Sequence, residues 1–187
     1  GRVHAGCASF EYLPCKAFEN RKYIENRSNQ AIVLSGTAQI ENEQKNGSQM
    51  SFDINYVLED VLEKYEVLAN QKDIRINNYI SDEEIYIGKT ALKIVLSNLI
   101  SNAVKYTDVR GVINIGADKG WLYIENSYKN DKILDIDKLF EVEFDLNKEN
   151  SNGLGLYIVS NLLNNYKIEY KALQNKDSFV FKIKLSS

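Results

Sequence analysis

The amino-acid sequence predicts an α/β domain of the α+β kind, a two-layer sandwich in which helices cover one face of a mixed sheet. Two observations support this prediction. Amphipathic patterns with the helical period alternate with short apolar runs of strand length. Several of these runs are joined by polar turns that contain Asn, Asp or Gly, as in hairpins. A chain with this mixture of elements buries one face of its sheet against helices.

Length and composition restrict the class of protein. The chain has 187 residues, of which 44% are apolar and 26% charged, so it can bury a core and is too apolar for a disordered protein. The formal net charge is −3 and no basic tract occurs, which argues against nucleic acid as the main partner. The two cysteines, Cys7 and Cys15, suit neither a disulfide framework nor a zinc site, so a reducing compartment is expected.

The sequence contains no segment with the pattern of a membrane-spanning helix or of a signal peptide. No run of about 18 apolar residues occurs, and the N-terminus lacks the apolar centre of a signal peptide. Because the chain begins at Gly1 and not at Met, we expect it to be part of a longer protein. A membrane segment is then expected upstream.

The first 50 residues divide into two stretches. Residues 1–20 show no periodicity and receive no assignment. In residues 21–50, apolar residues at helical intervals predict a helix, and Asn46-Gly47-Ser48 then predicts a linker. The main domain is expected over residues 51–187.

The main domain is predicted to begin with two helices that are separated by two short strands. Asp53 can cap the first helix, whose apolar residues recur at helical intervals as far as Leu68. Residues 74–76 and 85–87 predict the strands. The second helix is predicted from Thr90 to Tyr106. Its apolar stripe consists of Leu92, Val95, Leu96, Leu99 and Ala103.

The second half of the domain is predicted to alternate between hairpins and helices. In chain order, the predicted elements are a hairpin over residues 112–117 and 121–126 with its turn at Asp118-Lys119-Gly120, a short helix over 136–141, a polar loop over 142–152, a helix over 153–166, and strands over 168–173 and 178–185. Alternation of apolar residues in the last run predicts a strand with one buried face.

A polar stripe on the second helix carries the first chemical signal. Asn98, Asn102 and Lys105 lie at i, i+4 and i+7, so they share one side of the helix. An amide oxygen is a neutral ligand for a hard cation, and a lysine attracts phosphate. The stripe is therefore suited to a nucleotide with Mg²⁺, although a solvated polar face gives the same spacing.

A glycine pair at the start of the next helix carries the second signal. In Ser151-Asn152-Gly153-Leu154-Gly155-Leu156, alternate glycines let backbone N–H groups approach phosphate oxygens at a helix N-terminus. A helix start with a flexible lead-in has the same sequence. At this glycine pair a Rossmann turn and a P-loop are both excluded, because neither a third glycine nor Gly-Lys-Ser/Thr follows it.

The order of these segments resembles the catalytic domain of sensor histidine kinases. Asn98 to Thr107 resembles the N box, residues 139–144 resemble the F box, and Ser151 to Leu156 resembles the second glycine box. Ser178-Phe179 is similar to the closing Thr-x-Phe-like segment. The resemblance extends from about Phe52 to Leu185.

The resemblance implies the Bergerat-type ATP-binding fold that is shared with gyrase, Hsp90 and MutL proteins. It implies that Asn102 holds Mg²⁺, that Asn98 and Lys105 lie by the phosphates, and that Tyr106 packs near the adenine. Residues 142–152 would form a lid over the nucleotide. The full set of residues that it assigns to ATP is Asn98, Asn102, Lys105, Tyr106, Asn126, Gly153, Leu154, Gly155, Leu156 and Ser178.

Two positions depart from the family pattern. In the first glycine box, Asn126 stands where the family has an aspartate, and Tyr128 where it has a glycine. An Asn126 oxygen can still accept from the adenine amine, but without charge assistance, and the amide NH₂ then needs an acceptor of its own. The family's phosphoacceptor histidine is also missing, because the only histidine is His4, which no recognisable acceptor helix surrounds.

The function predicted from these residues is that of the ATP–Mg²⁺-binding catalytic domain of a two-component sensor kinase. The resemblance implies phosphorylation of a histidine on a dimerisation helix, transfer to a response regulator, and a homodimer in the full-length protein. It also implies a cytoplasmic domain of a membrane-bound sensor. Two alternatives are a degenerate kinase domain that acts as a nucleotide- or partner-binding module, and a serine-kinase anti-sigma factor.

Overall fold

The computed structural model describes residues 50–129, 135–140 and 153–186, which belong to one compact unit, Glu43–Ser187. The predictions for residues 1–49 and for the polar loop 142–152 lie outside the described residues. Within the three described ranges, no helix is long and apolar enough to cross a membrane.

The described elements agree in type and order with the predicted ones, apart from one additional strand. They are β1 (Met50–Asp53), α1 (Ile54–Gln71), β2 (Arg75–Asn78), β3 (Glu84–Ile87), α2 (Lys89–Tyr106), β4 (Val112–Asp118), β5 (Trp121–Ser127), a 3₁₀ helix (Asp137–Phe140), α3 (Gly153–Asn165), β6 (Tyr170–Gln174) and β7 (Ser178–Lys184). Asp53 caps α1 as predicted, because its carboxylate accepts the backbone N–H of Asn55 at 2.8 Å.

The main sheet has five strands in the order β2-β4-β5-β7-β6. Strands β2 and β4 run parallel, whereas the other neighbours are antiparallel, so the sheet is mixed as predicted. The additional strand, β1, pairs with β3 in a separate antiparallel ladder from Met50↔Ile87 to Asp53↔Glu84. Residues 50–53 had no predicted strand, because a four-residue strand whose partner is so distant in sequence has no local signal.

The core lies between the helices and one face of the sheet. The apolar stripe predicted on α2 is buried along its whole length, from Leu92 to Ala103. On the sheet, the residues of β5 that alternate inward are buried, and the final strand contributes Phe181 and Ile183. The two-layer sandwich predicted from the sequence is confirmed.

The opposite face of the sheet carries aromatic and basic side chains. The Tyr123 ring lies against Gly116, where an added Cβ would stand 2.5 Å from the tyrosine oxygen. Burial, and to a smaller extent the Glu125 carboxylate, raise the pKa of the Tyr123 hydroxyl. Trp121 lies beside Lys171 and Lys184, whose ammonium nitrogens are 4.2 and 4.9 Å from the ring centre. This face is therefore separate from the one that the helices cover.

The β4–β5 hairpin turns at the predicted residues. Lys119 and Gly120 both have positive φ, at 50° and 77°. Two consecutive residues of this kind form the type I′ turn whose twist matches that of antiparallel strands. The predicted Asp118-Lys119-Gly120 turn is thus confirmed in position and in type of residue.

Candidate functional site

Helix α2 presents the predicted polar stripe at the edge of the core. Asn98 and Asn102 are half-buried, and Lys105, one turn further on, is exposed. The Asn98 amide nitrogen donates to the Ile94 carbonyl at 2.9 Å, which fixes the orientation of the side chain. The stripe therefore consists of two half-buried amides, of which Asn98 is held by a hydrogen bond, followed by an exposed cationic side chain that lies over the Tyr106 ring at 5.6 Å.

The first turn of α3 lies directly against the two amides. A Cβ added to Gly155 would stand 3.2 Å from the Asn98 Oδ1 and 3.8 Å from the Asn102 Oδ1. The Asn102 Nδ2 would be 3.6 Å from the same Cβ, so glycine at position 155 keeps a side chain from crowding both amide groups. We call Asn98, Asn102 and Gly155 the asparagine–glycine cluster. It joins the two segments that the sequence indicated separately.

The cluster fits a magnesium nucleotide. It combines neutral oxygen ligands with the start of a helix, where backbone N–H groups attract anions. Within the described residues, no group of three or more His, Cys, Asp and Glu side chains is placed to hold a metal ion. The assignment of Mg²⁺ to Asn102 stays a prediction.

Asn126 is buried at the end of β5, with 4% of its surface exposed. It lies between Ile113 on β4 and Phe179 on β7 in the strand register. Its amide nitrogen donates to the Ser127 carbonyl at 3.3 Å. The acceptor that an amide needs at this position is therefore supplied by the same strand.

Tyr106, at the end of α2, lies near enough to Tyr128, two residues after Asn126, for the two hydroxyls to interact electrostatically. Burial, and to a smaller extent Tyr128, raise the pKa of the Tyr106 hydroxyl to about 12. That hydroxyl is buried and has no hydrogen-bond partner in the described part of the chain. The Tyr128 backbone N–H donates to the Asp177 carbonyl at 2.9 Å, which extends the pairing of β5 with β7. We call Tyr106, Asn126 and Tyr128 the tyrosine–asparagine cluster.

The segment that resembles the F box is described only at its beginning. Phe140 contacts Tyr170 and Phe181, with ring centres 5.5 and 6.1 Å away. Tyr170 and Phe181 are stacked, with their centres 6.0 Å apart. Phe140 therefore anchors the chain on the helix-covered face of the sheet just before the predicted lid.

The remaining predicted site residues have different surroundings. Leu156 is buried in α3, and Gly153 and Leu154 lie in the first turn of the same helix. The Ser178 hydroxyl belongs to neither cluster. It donates to Glu125 Oε1 at 2.9 Å. Because Glu125 and Asn126 are neighbours on a strand, their side chains point to opposite faces. A role of Ser178 at the nucleotide stays a prediction. Because the hydroxyl lies with Glu125 on the opposite face from Asn126, such a role would involve the Ser178 backbone.

One residue of this region was missed by the sequence analysis. Lys72 directly follows α1, and its ammonium group donates to the carbonyls of Val104, Lys105 and Thr107 at 2.9, 3.0 and 2.5 Å. A basic residue at a helix end is a general signal for binding free carbonyls. The position of Lys72 after α1 did not indicate that the carbonyls it binds lie at the end of α2.

The chain matches a described protein family over more than half of its length. Residues 88–187 match the family of histidine kinase-, DNA gyrase B-, and HSP90-like ATPases. The sensor histidine protein kinase HK06 of Streptococcus pneumoniae is 37% identical over 134 residues, which are 69% of this chain and 30% of that protein. The heme sensor protein HssS of Staphylococcus aureus is 30% identical over 115 residues, which are 59% of this chain and 25% of that protein.

Solved structures share the fold at lower sequence identity. The histidine kinase AdeS of Acinetobacter baumannii has a TM-score of 0.65 at 21% identity, over 97% of this chain and 87% of that chain. The mycobacterial sensor histidine kinase MprB has a TM-score of 0.60 at 18% identity, over 73% of this chain and 97% of that chain. The chain thus spans less than a third of the curated relatives and nearly all of a kinase domain. It belongs to the histidine kinase-, DNA gyrase B-, and HSP90-like ATPase family, as a catalytic domain of the sensor histidine kinase type.

Proposed function

We propose that this domain binds ATP with Mg²⁺ and presents the γ-phosphate to a histidine on a dimerisation helix. The observation that carries the proposal is the contact of Gly155 with Asn98 and Asn102. Two segments that are distant in sequence meet there, and glycine leaves their amide oxygens accessible. A magnesium nucleotide needs oxygen ligands and backbone donors in this combination.

Each residue then has a separate task. Asn102 supplies an oxygen to the ion, Asn98 and Lys105 lie by the phosphates, and α3 supplies backbone N–H groups at its start. Mg²⁺ held by Asn102 would supply neutralisation of the charge that develops during phosphoryl transfer. The side chains of this domain hold and orient the nucleotide, and the attacking nitrogen comes from the acceptor helix.

The partners of the full-length protein belong to the same proposal. The relatives are named as sensor kinases. We infer that this chain acts in a homodimeric, membrane-bound sensor, as its cytoplasmic domain, and that the phosphoryl group passes to a response regulator. His4, the single histidine, lies outside the described residues. Because no acceptor-helix pattern surrounds His4 in the sequence, we expect phosphohistidine only when an acceptor helix is supplied.

The proposal is tested by calorimetric titration of ADP and ATP with and without Mg²⁺. The unchanged protein should bind more tightly with Mg²⁺, by about tenfold, since one charge-assisted contact contributes on the order of 1–3 kcal/mol. Asn102→Ala should abolish most of that difference and leave the fold intact. The matched control is Asn164→Ala on the exposed side of α3, which should keep it.

Two results would contradict the proposal. Equal binding with and without Mg²⁺ in both the unchanged protein and Asn102→Ala would show that Asn102 does not hold the metal. No nucleotide binding by the unchanged protein would favour the second candidate, a degenerate kinase domain that docks partners. That candidate is favoured by one observation, the replacement of the aspartate and glycine of the first glycine box by Asn126 and Tyr128.

A further inference from the structure

The structure assigns to Lys72 the role of a positioning residue for the end of α2 that carries Lys105 and Tyr106. The assignment rests on the proposed function, since both residues belong to the proposed nucleotide site. Lys72 itself does not lie in that site. It is the C-cap residue of α1 and acts on α2 through the main chain.

The carbonyl groups at the end of a helix lack partners within it. In α2, the Ala103 carbonyl accepts the Thr107 N–H at 3.0 Å and the Thr107 hydroxyl at 2.6 Å. The next two carbonyls, those of Val104 and Lys105, have no later helical N–H to accept. Lys72 donates to both.

The Lys72 ammonium group is fully used in this arrangement. A lysine has three N–H donors and no acceptor, and three carbonyls surround this one. Two of them, Lys105 and Thr107, lie on either side of Tyr106. The carbonyls of the residues before and after Tyr106 are therefore held by the same cation, which also opposes the negative end of the helix dipole.

Main-chain contacts make the attachment rigid. The Lys72 carbonyl accepts the N–H of Arg110 at 2.9 Å, beyond the end of α2. The same connecting segment reaches the end of β5, because the Lys129 N–H donates to the Asp108 carboxylate at 3.3 Å. Movement of the last turn of α2 would thus displace the segment that leads to Tyr128 as well.

The consequence is a division of labour between two lysines. Lys105 is exposed and extends from the end of α2 toward the proposed phosphate position, whereas Lys72 is half-buried and holds the backbone from which Lys105 and Tyr106 project. Removal of the Lys72 charge should loosen one turn of α2 without opening the core. Nucleotide affinity should then fall although no nucleotide contact has been removed.

The test compares Lys72→Met with Lys72→Arg and with Lys64→Met. The last is the matched control, because Lys64 is exposed on the same helix and, in the described part of the chain, its charge lies over the ring of Tyr65. The first readout is amide hydrogen exchange without nucleotide. In Lys72→Met, exchange should accelerate in residues 103–107 and stay unchanged in the first two turns of α2.

The second readout is the affinity for ADP with Mg²⁺. Lys72→Met should weaken it by about tenfold, because binding must then order the loosened turn of α2, and ordering one residue costs on the order of 1 kcal/mol. Lys72→Arg should restore part of the loss, since a planar guanidinium keeps the charge but cannot direct three donors from one nitrogen. Lys64→Met should bind as the unchanged protein does.

Three outcomes would overturn the assignment. They are unchanged exchange in residues 103–107 of Lys72→Met, faster exchange that leaves affinity unaltered, and an equal loss of affinity in Lys64→Met. If the unchanged protein binds no nucleotide, the proposed function fails. The exchange experiment still decides then whether Lys72 holds the last turn of α2.

Discussion

The asparagine–glycine cluster and the tyrosine–asparagine cluster are organised by different principles. In the first, two polar side chains surround a position where a side chain is missing, so accessible space is the main property. In the second, Asn126 has 4% of its surface exposed and the Tyr106 hydroxyl is buried, so burial of polar groups is the main property. The first cluster keeps the pattern of the family, and the second departs from it.

The difference shows where substitutions are tolerated in such a site. In the proposed site, phosphate and metal would be bound through backbone N–H groups and amide oxygens, which a side chain at residue 155 would displace. A base is bound by shape and a few hydrogen bonds, and neighbouring residues can supply these in more than one way. The Ser127 carbonyl satisfies the amide NH₂ that an asparagine introduces at position 126.

The largest effect is expected when the open space of the asparagine–glycine cluster is filled. Gly155→Val should lower affinity for ADP with Mg²⁺ by about a hundredfold, since overpacking costs up to about 3 kcal/mol. Gly155→Ala should have a smaller effect, because its Cβ at 3.2 Å from Asn98 needs only a slight shift.

The control for this experiment is Asn161→Val, which introduces the same β-branched residue on the exposed side of α3. Calorimetric titration and thermal unfolding should be measured on all three variants. An affinity of Gly155→Val within a factor of about three of the unchanged protein, well under the effect of overpacking, would show that α3 does not face the nucleotide.

A moderate effect is expected when the charge of the tyrosine–asparagine cluster is restored. Asn126→Asp should tighten adenine-nucleotide binding by about five- to tenfold, because a charged acceptor contributes roughly 1 kcal/mol more than a neutral one. Without nucleotide, the same variant should be less stable, since a carboxylate would be buried beside Ile113 and Phe179.

The control for the charge change is Asn114→Asp. Asn114 lies on β4 and accepts a hydrogen bond from Asn77 at 2.8 Å, which a carboxylate can also accept. Nucleotide affinity should be unchanged in this variant. Unchanged or weaker binding by Asn126→Asp would mean that Tyr128 and the Ser127 carbonyl have adapted the site to an amide.

The smallest effect concerns the unpartnered hydroxyl of Tyr106. Its pKa is raised to about 12 from the ordinary 10.0, so the folded protein retains a proton that the unfolded chain releases between these values. The free energy of unfolding should therefore fall as pH rises from 10 to 12. Tyr106→Phe should reduce this fall by about 1 kcal/mol, allowing for partial solvent access.

Near pH 7, Tyr106→Phe should leave stability unchanged or raise it by less than about 1 kcal/mol, because a buried hydroxyl without a partner is removed. Urea unfolding at pH 7, 10 and 11.5 measures both effects, with Tyr157→Phe on the exposed side of α3 as control. An identical pH dependence in the two variants would show that Tyr106 is hydrated in solution.

The sequence predicted most of the fold because helix and hairpin signals are local. The stripe from Leu92 to Ala103 and the turn at Lys119-Gly120 depend on nearby spacing and on single residues. Strand β1 was missed because its partner begins at Glu84, and pairing at that distance depends on the assembled domain. Strand β6 begins at Tyr170, two residues later than predicted, because no capping residue marks its start.

The candidate site was predictable as a set of residues and not as an arrangement. Spacing on one helix gave Asn98 and Asn102 a common side, but their contact with Gly155 depends on how α3 packs against α2. The outward hydroxyl of Ser178 and the three contacts of Lys72 follow from register and from helix ends that meet in space. None of these contacts can be predicted from a short stretch of the sequence.

The order of strands also determines when this domain can form during synthesis. Strand β7, made after every other element described, lies inside the sheet between β5 and β6. Until residues 178–184 have left the ribosome, β5 and β6 each expose an unpaired edge and the buried face lacks Phe181 and Ile183. Such edges attract other chains. Folding of this domain is therefore expected to finish after residue 184 emerges, with chaperones protecting the open sheet until then.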